Sequence, residues 1–120
     1  MPTISQAFAI SMQHYRAGRL AQAEQICGQI LQAEPEHADA LHLIGVIAHQ
    51  LGRHAQAADL LGRAIRACPT IASYHNNLGL ALNGLEKLDD AVACYRRALE
   101  LSPDLIGAHI NLGLALLRQG

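Results

Sequence analysis

The chain has 120 residues, 51% of them hydrophobic and only 3% aromatic, with 9 basic and 10 acidic side chains and a formal net charge of −1. That length supports one domain with its own core rather than two, and a charge this even excludes the clustered positive field that nucleic-acid binding needs. Ala and Leu supply most of the apolar weight and strand formers are sparse, so composition points to an all-α fold.

The amino end, Met1-Pro2-Thr3-Ile4-Ser5-Gln6, has neither the basic region nor the long apolar core of a signal peptide. A first unit, 4–37, then divides into two helices about the turn Gly18-Arg19 and closes at Pro35. The second, 38–71, turns at Gly52-Arg53 and closes at Pro69. Glycine suits such turns because a helix commonly ends in a left-handed residue. The uncharged stretch from Ala67 to Leu85 approaches membrane length, but Pro69, His75, Asn76, Asn77 and Asn83 make it unfit for hydrocarbon.

In the third unit, 72–105, Leu78, Leu82 and Leu85 recur at helical spacing before a turn at Glu86-Lys87. Ala91, Tyr95 and Ala98 follow at steps of four and three, one stripe of a second helix whose first turn holds Asp89 and Asp90. Ser102-Pro103 stops it, since the residue before proline avoids the helical region. The last segment, 106–120, reads as a half unit. It is a single helix with Ile106, Ile110, Leu112, Leu114, Leu116 and Leu117 apolar nearly all round. A missing neighbour is the usual meaning of such a surface. The chain is therefore expected to be a piece of a longer protein; pairing with another copy and self-capping remain open alternatives.

Sliding the sequence by 34 residues aligns these units. Ile10, Ile44, Leu78 and Leu112 coincide, as do Ser11, Gly45, Gly79 and Gly113, then Ala23, Ala57 and Ala91, then Cys27, Leu61 and Tyr95, then Ile30, Ala64 and Ala98. A glycine inside a helix costs roughly 0.5–1 kcal/mol against alanine. Its recurrence therefore implies close helix crossing, with Gly79 expected to face Ala91.

Cys27, Cys68 and Cys94 form no CxxC pair and read as small apolar fillers in a reducing compartment. His42 and His49 stand two turns apart, about 10 Å, too far for one ion. His75 and His109 read as interhelix packing residues. Gly79 and Gly84 follow no strand and make no phosphate loop. No Ser or Cys has an evident base, so neither enzyme, metal nor cofactor is expected.

A 34-residue unit with Leu-Gly, a later Ala, a bulky residue, a second Ala and a closing Pro resembles the tetratricopeptide repeat, over nearly the whole chain. Asn77-Leu78-Gly79-Leu80-Ala81-Leu82 and Asn111-Leu112-Gly113-Leu114-Ala115-Leu116 are similar to the narrower set found in O-linked N-acetylglucosamine transferase and its bacterial relatives. The resemblance implies a right-handed superhelical solenoid of antiparallel helix pairs, seven helices in one domain over 1–120. The first helix of each pair would line a concave face. Asn77 and Asn111 match the asparagine that holds peptide backbone in those relatives, whereas Ala9 and Leu43 stand there in the earlier units.

The groove-facing positions would be Phe8, Met12, Tyr15 and Arg16, then His42, Val46, His49 and Gln50. Asn76, Asn77, Leu80 and Asn83 continue them, followed by Ile110, Asn111, Leu114 and Arg118. Phe8 and Met12 read equally as a cover for the amino-terminal end of the core. Arg16 and Arg118 lie at opposite ends, so a clamp for an acidic carboxyl terminus is not expected. The implied function is a cytoplasmic protein-interaction module binding a peptide or partner protein, with no nucleic acid or membrane partner, as the amino-terminal part of a larger protein. The alternative is a self-association element, a homodimer formed through the carboxy-terminal half unit.

Overall fold

The computed structural model describes residues 2–120; Met1, the first residue of the amino-terminal stretch read above, lies outside the described residues. Those residues form seven α-helices and no strand: α1 Ile4–Arg16, α2 Leu20–Ala33, α3 Ala38–Gln50, α4 His54–Ala67, α5 Ala72–Gly84, α6 Leu88–Leu101 and α7 Ile106–Gln119. The starts of α1, α3, α5 and α7 fall 34 residues apart. Each helix packs on the next in sequence, giving a body of 52 × 26 × 22 Å, and α3 also touches α5 as α5 touches α7.

Local chemistry sets the boundaries. Thr3 opens α1 with a capping box, accepting from the Gln6 N–H while the Gln6 side chain accepts from the Thr3 N–H. Three turns end in the same way: Gly18 (φ 80°), Gly52 (φ 79°) and Glu86 (φ 62°) all take the left-handed conformation. In each, the next residue donates back into the helix, Arg19 to the His14 carbonyl, Arg53 to Ala48 and Lys87 to Leu82, all at 2.8–2.9 Å. This is the Schellman closure. The other loops break where Glu34, Cys68 and Ser102 precede prolines with ψ 90°, outside the helical region.

The aligned stripes are the core. Ala23, Cys27 and Ile30, Ala57, Leu61 and Ala64, and Ala91, Tyr95 and Ala98 are all buried. At Gly79 the nearest atoms belong to Tyr95, one turn beyond Ala91 on the same buried stripe: a Cβ there would overlap Cε1 of Tyr95 and stand 2.7 Å from its Cδ1. A Cβ at Gly45 would stand 2.8 Å from Leu61 Cγ. The glycine thus makes room for the bulky residue of the next helix. In the first pair both partners change together. Ser11 replaces the glycine and Cys27 the bulky residue, with Ser11 Oγ 3.2 Å from Cys27 Sγ and donating to the Ala23 carbonyl at 3.0 Å. Burial pushes the Cys27 thiol above its ordinary pKa and the Cys94 thiol up to about 11, so neither is poised to react.

Candidate functional site

The first helices of successive pairs are tied together on one face by hydrogen bonds between residues 35 apart. Gln50 Nε2 donates to Tyr15 Oη at 2.6 Å, Tyr74 Oη to Asp39 at 3.1 Å and Asn77 Nδ2 to His42 Nε2 at 2.8 Å. Further along, Asn111 Nδ2 donates to Asn76 Oδ1 at 3.0 Å and Arg118 to Asn83 Oδ1 at 2.6 Å. Residues that are equivalent stand 34 apart, so a bond at 35 joins each position to the one just past its counterpart on the next pair.

Between these bonds lies a hollow of about 390 Å³ lined by Met12, Tyr15, His42, Leu43, Val46, His49, Gln50, Leu61, Asn77 and Leu80. No aspartate, glutamate, lysine or arginine lines it. Its floor is apolar and its polar rim consists of amides, a phenol and two imidazoles. A volume of this size suits a side chain or two of a ligand.

Both imidazoles are held towards the neutral form. The His42 ring stacks on Tyr74 with centroids 4.5 Å apart; burial lowers its pKa, and the Asp39 carboxylate works in the opposite sense. An amide Nδ2 can only donate, so the bond from Asn77 requires a bare lone pair on His42 Nε2. His49 Nδ1 lies 3.1 Å from His54 Nδ1, and burial followed by the neighbouring His54 lowers the His49 pKa.

Of the residues expected from sequence, Met12, Tyr15, His42, Val46, His49, Gln50, Asn77 and Leu80 come together in the hollow. Asn76, Asn83, Asn111 and Arg118 lie beyond it on the same line of interhelix bonds, each already engaged through at least one polar atom. Arg118 also pairs with Glu86. Leu114 and Ile110 are each 57% exposed on α7. Phe8 stands apart: it packs on the first core and against His37, ring centroids 5.9 Å apart. Leu43, at the repeat position of Asn77, lines the hollow too, and Leu61 joins it unforeseen, because core stripe and groove stripe meet there.

The histidines at 75 and 109 also require correction. Instead of packing between helices, each donates from Nε2 to the carbonyl of the proline six residues earlier, Pro69 at 2.9 Å and Pro103 at 2.7 Å. They fasten the loops before α5 and α7. Among the described residues, no group of three or more His, Cys, Asp or Glu side chains converges to hold a metal, and no helix is long and apolar enough to cross a membrane.

Stacked antiparallel helix pairs with a groove on their first helices define a helical-repeat solenoid. The chain belongs to the tetratricopeptide repeat family. A profile described as "Tetratricopeptide repeat" matches residues 8–71, and one described as "TPR repeat" matches residues 81–120. No curated protein matches the chain. Among solved structures, an O-GlcNAc transferase mutant from Thermobaculum terrenum is 35% identical with a TM-score of 0.91, over 97% of this chain and 23% of that one. MamA from Desulfovibrio magneticus RS-1 is 23% identical (TM-score 0.89), over 98% of this chain and 66% of that one. The first such domain of Spaghetti (RPAP3), bound to the HSP90 peptide SRMEEVD, is 19% identical (TM-score 0.92), over 97% and 92%. The last two likenesses concern the fold alone. This chain spans under a quarter of the transferase and about two thirds of the MamA chain.

Proposed function

We propose that the chain is a cytoplasmic protein-interaction module whose hollow and flanking amide edge take a segment of another polypeptide. The observation that carries this reading is the hollow lined mainly by α1, α3 and α5, with an apolar floor and an uncharged polar rim. Amides at such a rim meet both the N–H and the C=O of a peptide, while the floor takes a side chain. The ligand of Spaghetti named above, SRMEEVD, is acidic; a hollow without lysine or arginine suits an uncharged segment instead. The asparagine edge at Asn77 and Asn111 extends the contact towards α7. The 35% identity to part of a transferase supports an adaptor role inside a longer protein, with the chemistry elsewhere.

Selection from a displayed peptide library, followed by amide-shift mapping, tests this directly. Selected peptides are expected to shift Val46, Asn77 and Leu80. Val46→Asp with Leu80→Asp should weaken them by about tenfold or more, since each buries a carboxylate beneath the ligand. Asn77→Ala with Asn111→Ala should weaken them with the helical circular dichroism unchanged. Peptides that map to the opposite face, or that ignore both double variants, would sink the proposal.

A second reading rests on α7, where Ile106 is 72% and Leu117 79% exposed. Helix α7 is the surface on which a second copy would pair.

A further inference from the structure

The bond between His42 and Asn77 joins a titratable ring to a carboxamide at the rim of the hollow, and the amide turns its nitrogen to the ring. Asn77 Nδ2 donates to His42 Nε2 at 2.8 Å, so the ring is neutral with its proton on Nδ1. Asn77 then has Oδ1, an acceptor, and its second N–H left for the hollow it lines.

A proton taken from solvent by His42 Nε2 ends that arrangement, because two N–H groups would then point at each other. The carboxamide has a ready alternative. Rotation of the amide by half a turn brings Oδ1 to the new Nε2–H and sends both N–H groups away from the ring. The exchange conserves one hydrogen bond between the residues and costs only the proton drawn from water. The rim then loses its free acceptor and offers a ligand donors alone.

We propose that His42 and Asn77 form a proton-driven couple that sets the hydrogen-bond polarity of the hollow: at neutral pH Asn77 offers an acceptor, suited to a peptide N–H, and on acidification it offers donors, suited to a peptide C=O. The couple rests on the peptide-binding reading only for its consequence, not for its existence. His42 is thus a positioning residue for specificity, acting through Asn77.

The surroundings favour this over a passive histidine. The ring is stacked on Tyr74 of α5, whose hydroxyl is committed to Asp39, so the imidazole is held in place while the amide opposite can turn. Facing His42 are Asp39 and His49 of its own helix, Tyr74 of α5, and Tyr15 of α1 across the hollow. Helix α4 contributes Leu61 to the lining, and its His54 reaches His49; α2 contributes nothing to it. Asp39 is the one carboxylate whose charge bears on the ring, favouring its protonation; burial opposes it more strongly and holds the charged form to more acid pH than for a free imidazole. The change therefore falls on the acid side of neutrality, where a buried neutral histidine takes up its proton.

Nitrogen-detected magnetic resonance of the free chain, from about pH 7.5 to 5, reads the couple without any ligand. The Asn77 side-chain amide signals are expected to move with the midpoint of His42 itself, below that of a free imidazole. In His42→Gln, which can still accept from Asn77, or His42→Phe, which keeps the ring on Tyr74, that movement should vanish. In His49→Gln it should persist, which separates the couple from a general change of charge in the hollow. N-acetyl-leucine N-methylamide serves as a probe of the hollow. Its affinity should change about three- to tenfold across the same range, the worth of one hydrogen bond, and stay level in His42→Gln. An Asn77 amide indifferent to the His42 titration, or a response that survives His42→Gln, overturns the couple. A probe that binds at neither pH while the amide still follows His42 upholds the couple and overturns the peptide-binding reading instead.

Discussion

Gly79 and Tyr95 are two halves of one contact. The ring lies where a Cβ at 79 would be, and Tyr95 is wholly buried. Gly79→Ala must displace a large side chain that has no exit to solvent, so it should destabilise the fold by about 2–3 kcal/mol, at the upper end of overpacking costs. The first pair suggests its remedy, for there the two positions are Ser11 and Cys27, a larger residue against a smaller one. Gly79→Ala with Tyr95→Cys should therefore lose less than the sum of the single changes, by about 1 kcal/mol or more in a double-mutant cycle. Strict additivity in urea unfolding would separate the two residues. The Tyr95 hydroxyl is itself buried without a hydrogen-bond partner, and burial raises its pKa to about 12. An unpaired buried hydroxyl costs about 1–3 kcal/mol; Tyr95→Phe should thus raise the unfolding midpoint, and a fall would mean that the hydroxyl is satisfied.

At the scale of the elements, the third interhelix turn departs from the other two. Glycines at 18 and 52 take positive φ without strain, whereas Glu86 bears a Cβ in the same conformation. A left-handed residue with a side chain costs roughly 1–2 kcal/mol, part of which glycine gives back as unfolded-chain entropy. Glu86→Gly is expected to stabilise the chain by about 0.5–1 kcal/mol, since the exposed pair it gives up with Arg118 is worth little. Thermal unfolding of the variant beside wild type checks this, and a lower midpoint counts against it.

The same turn shows what could be read in advance. Helices and turns were legible because the 34-residue shift superimposes glycine, alanine and proline, each with a local backbone reason for its place. Periodicity identifies equivalent residues, not touching ones, so the Tyr95 ring against Gly79 is not legible from the shift alone. Contacts between pairs fall at 35, so the pairs Tyr15–Gln50, Asp39–Tyr74 and His42–Asn77 were present in the sequence but invisible to a search at 34. Phe8 was placed in the groove by equivalence to His42. Its side chain packs against the first core.

For the whole molecule, the question is what meets α7. Ile106, Ile110, Gly113 and Leu117 recur at four, three and four residues, one stripe along the helix, and the three large members are 57–79% exposed. Gly113 has nothing within 4 Å of where its Cβ would stand, unlike Gly45 and Gly79, which receive Leu61 and Tyr95. Two such helices crossing at Gly113 could approach closely, with isoleucine and leucine packed on either side. Each of those side chains contributes about 1.5–3 kcal/mol when fully buried. A helix of 14 residues is only about 21 Å long, however, and its contact falls short of the roughly 800 Å² per partner of a stable interface. Association should accordingly be weak: monomer at low micromolar concentration, with dimer accumulating towards about 100 μM. Ile110→Glu with Leu117→Glu should leave a helical monomer at every concentration. Sedimentation that finds wild type monomeric throughout, or the double variant still pairing, removes α7 as the surface of self-association.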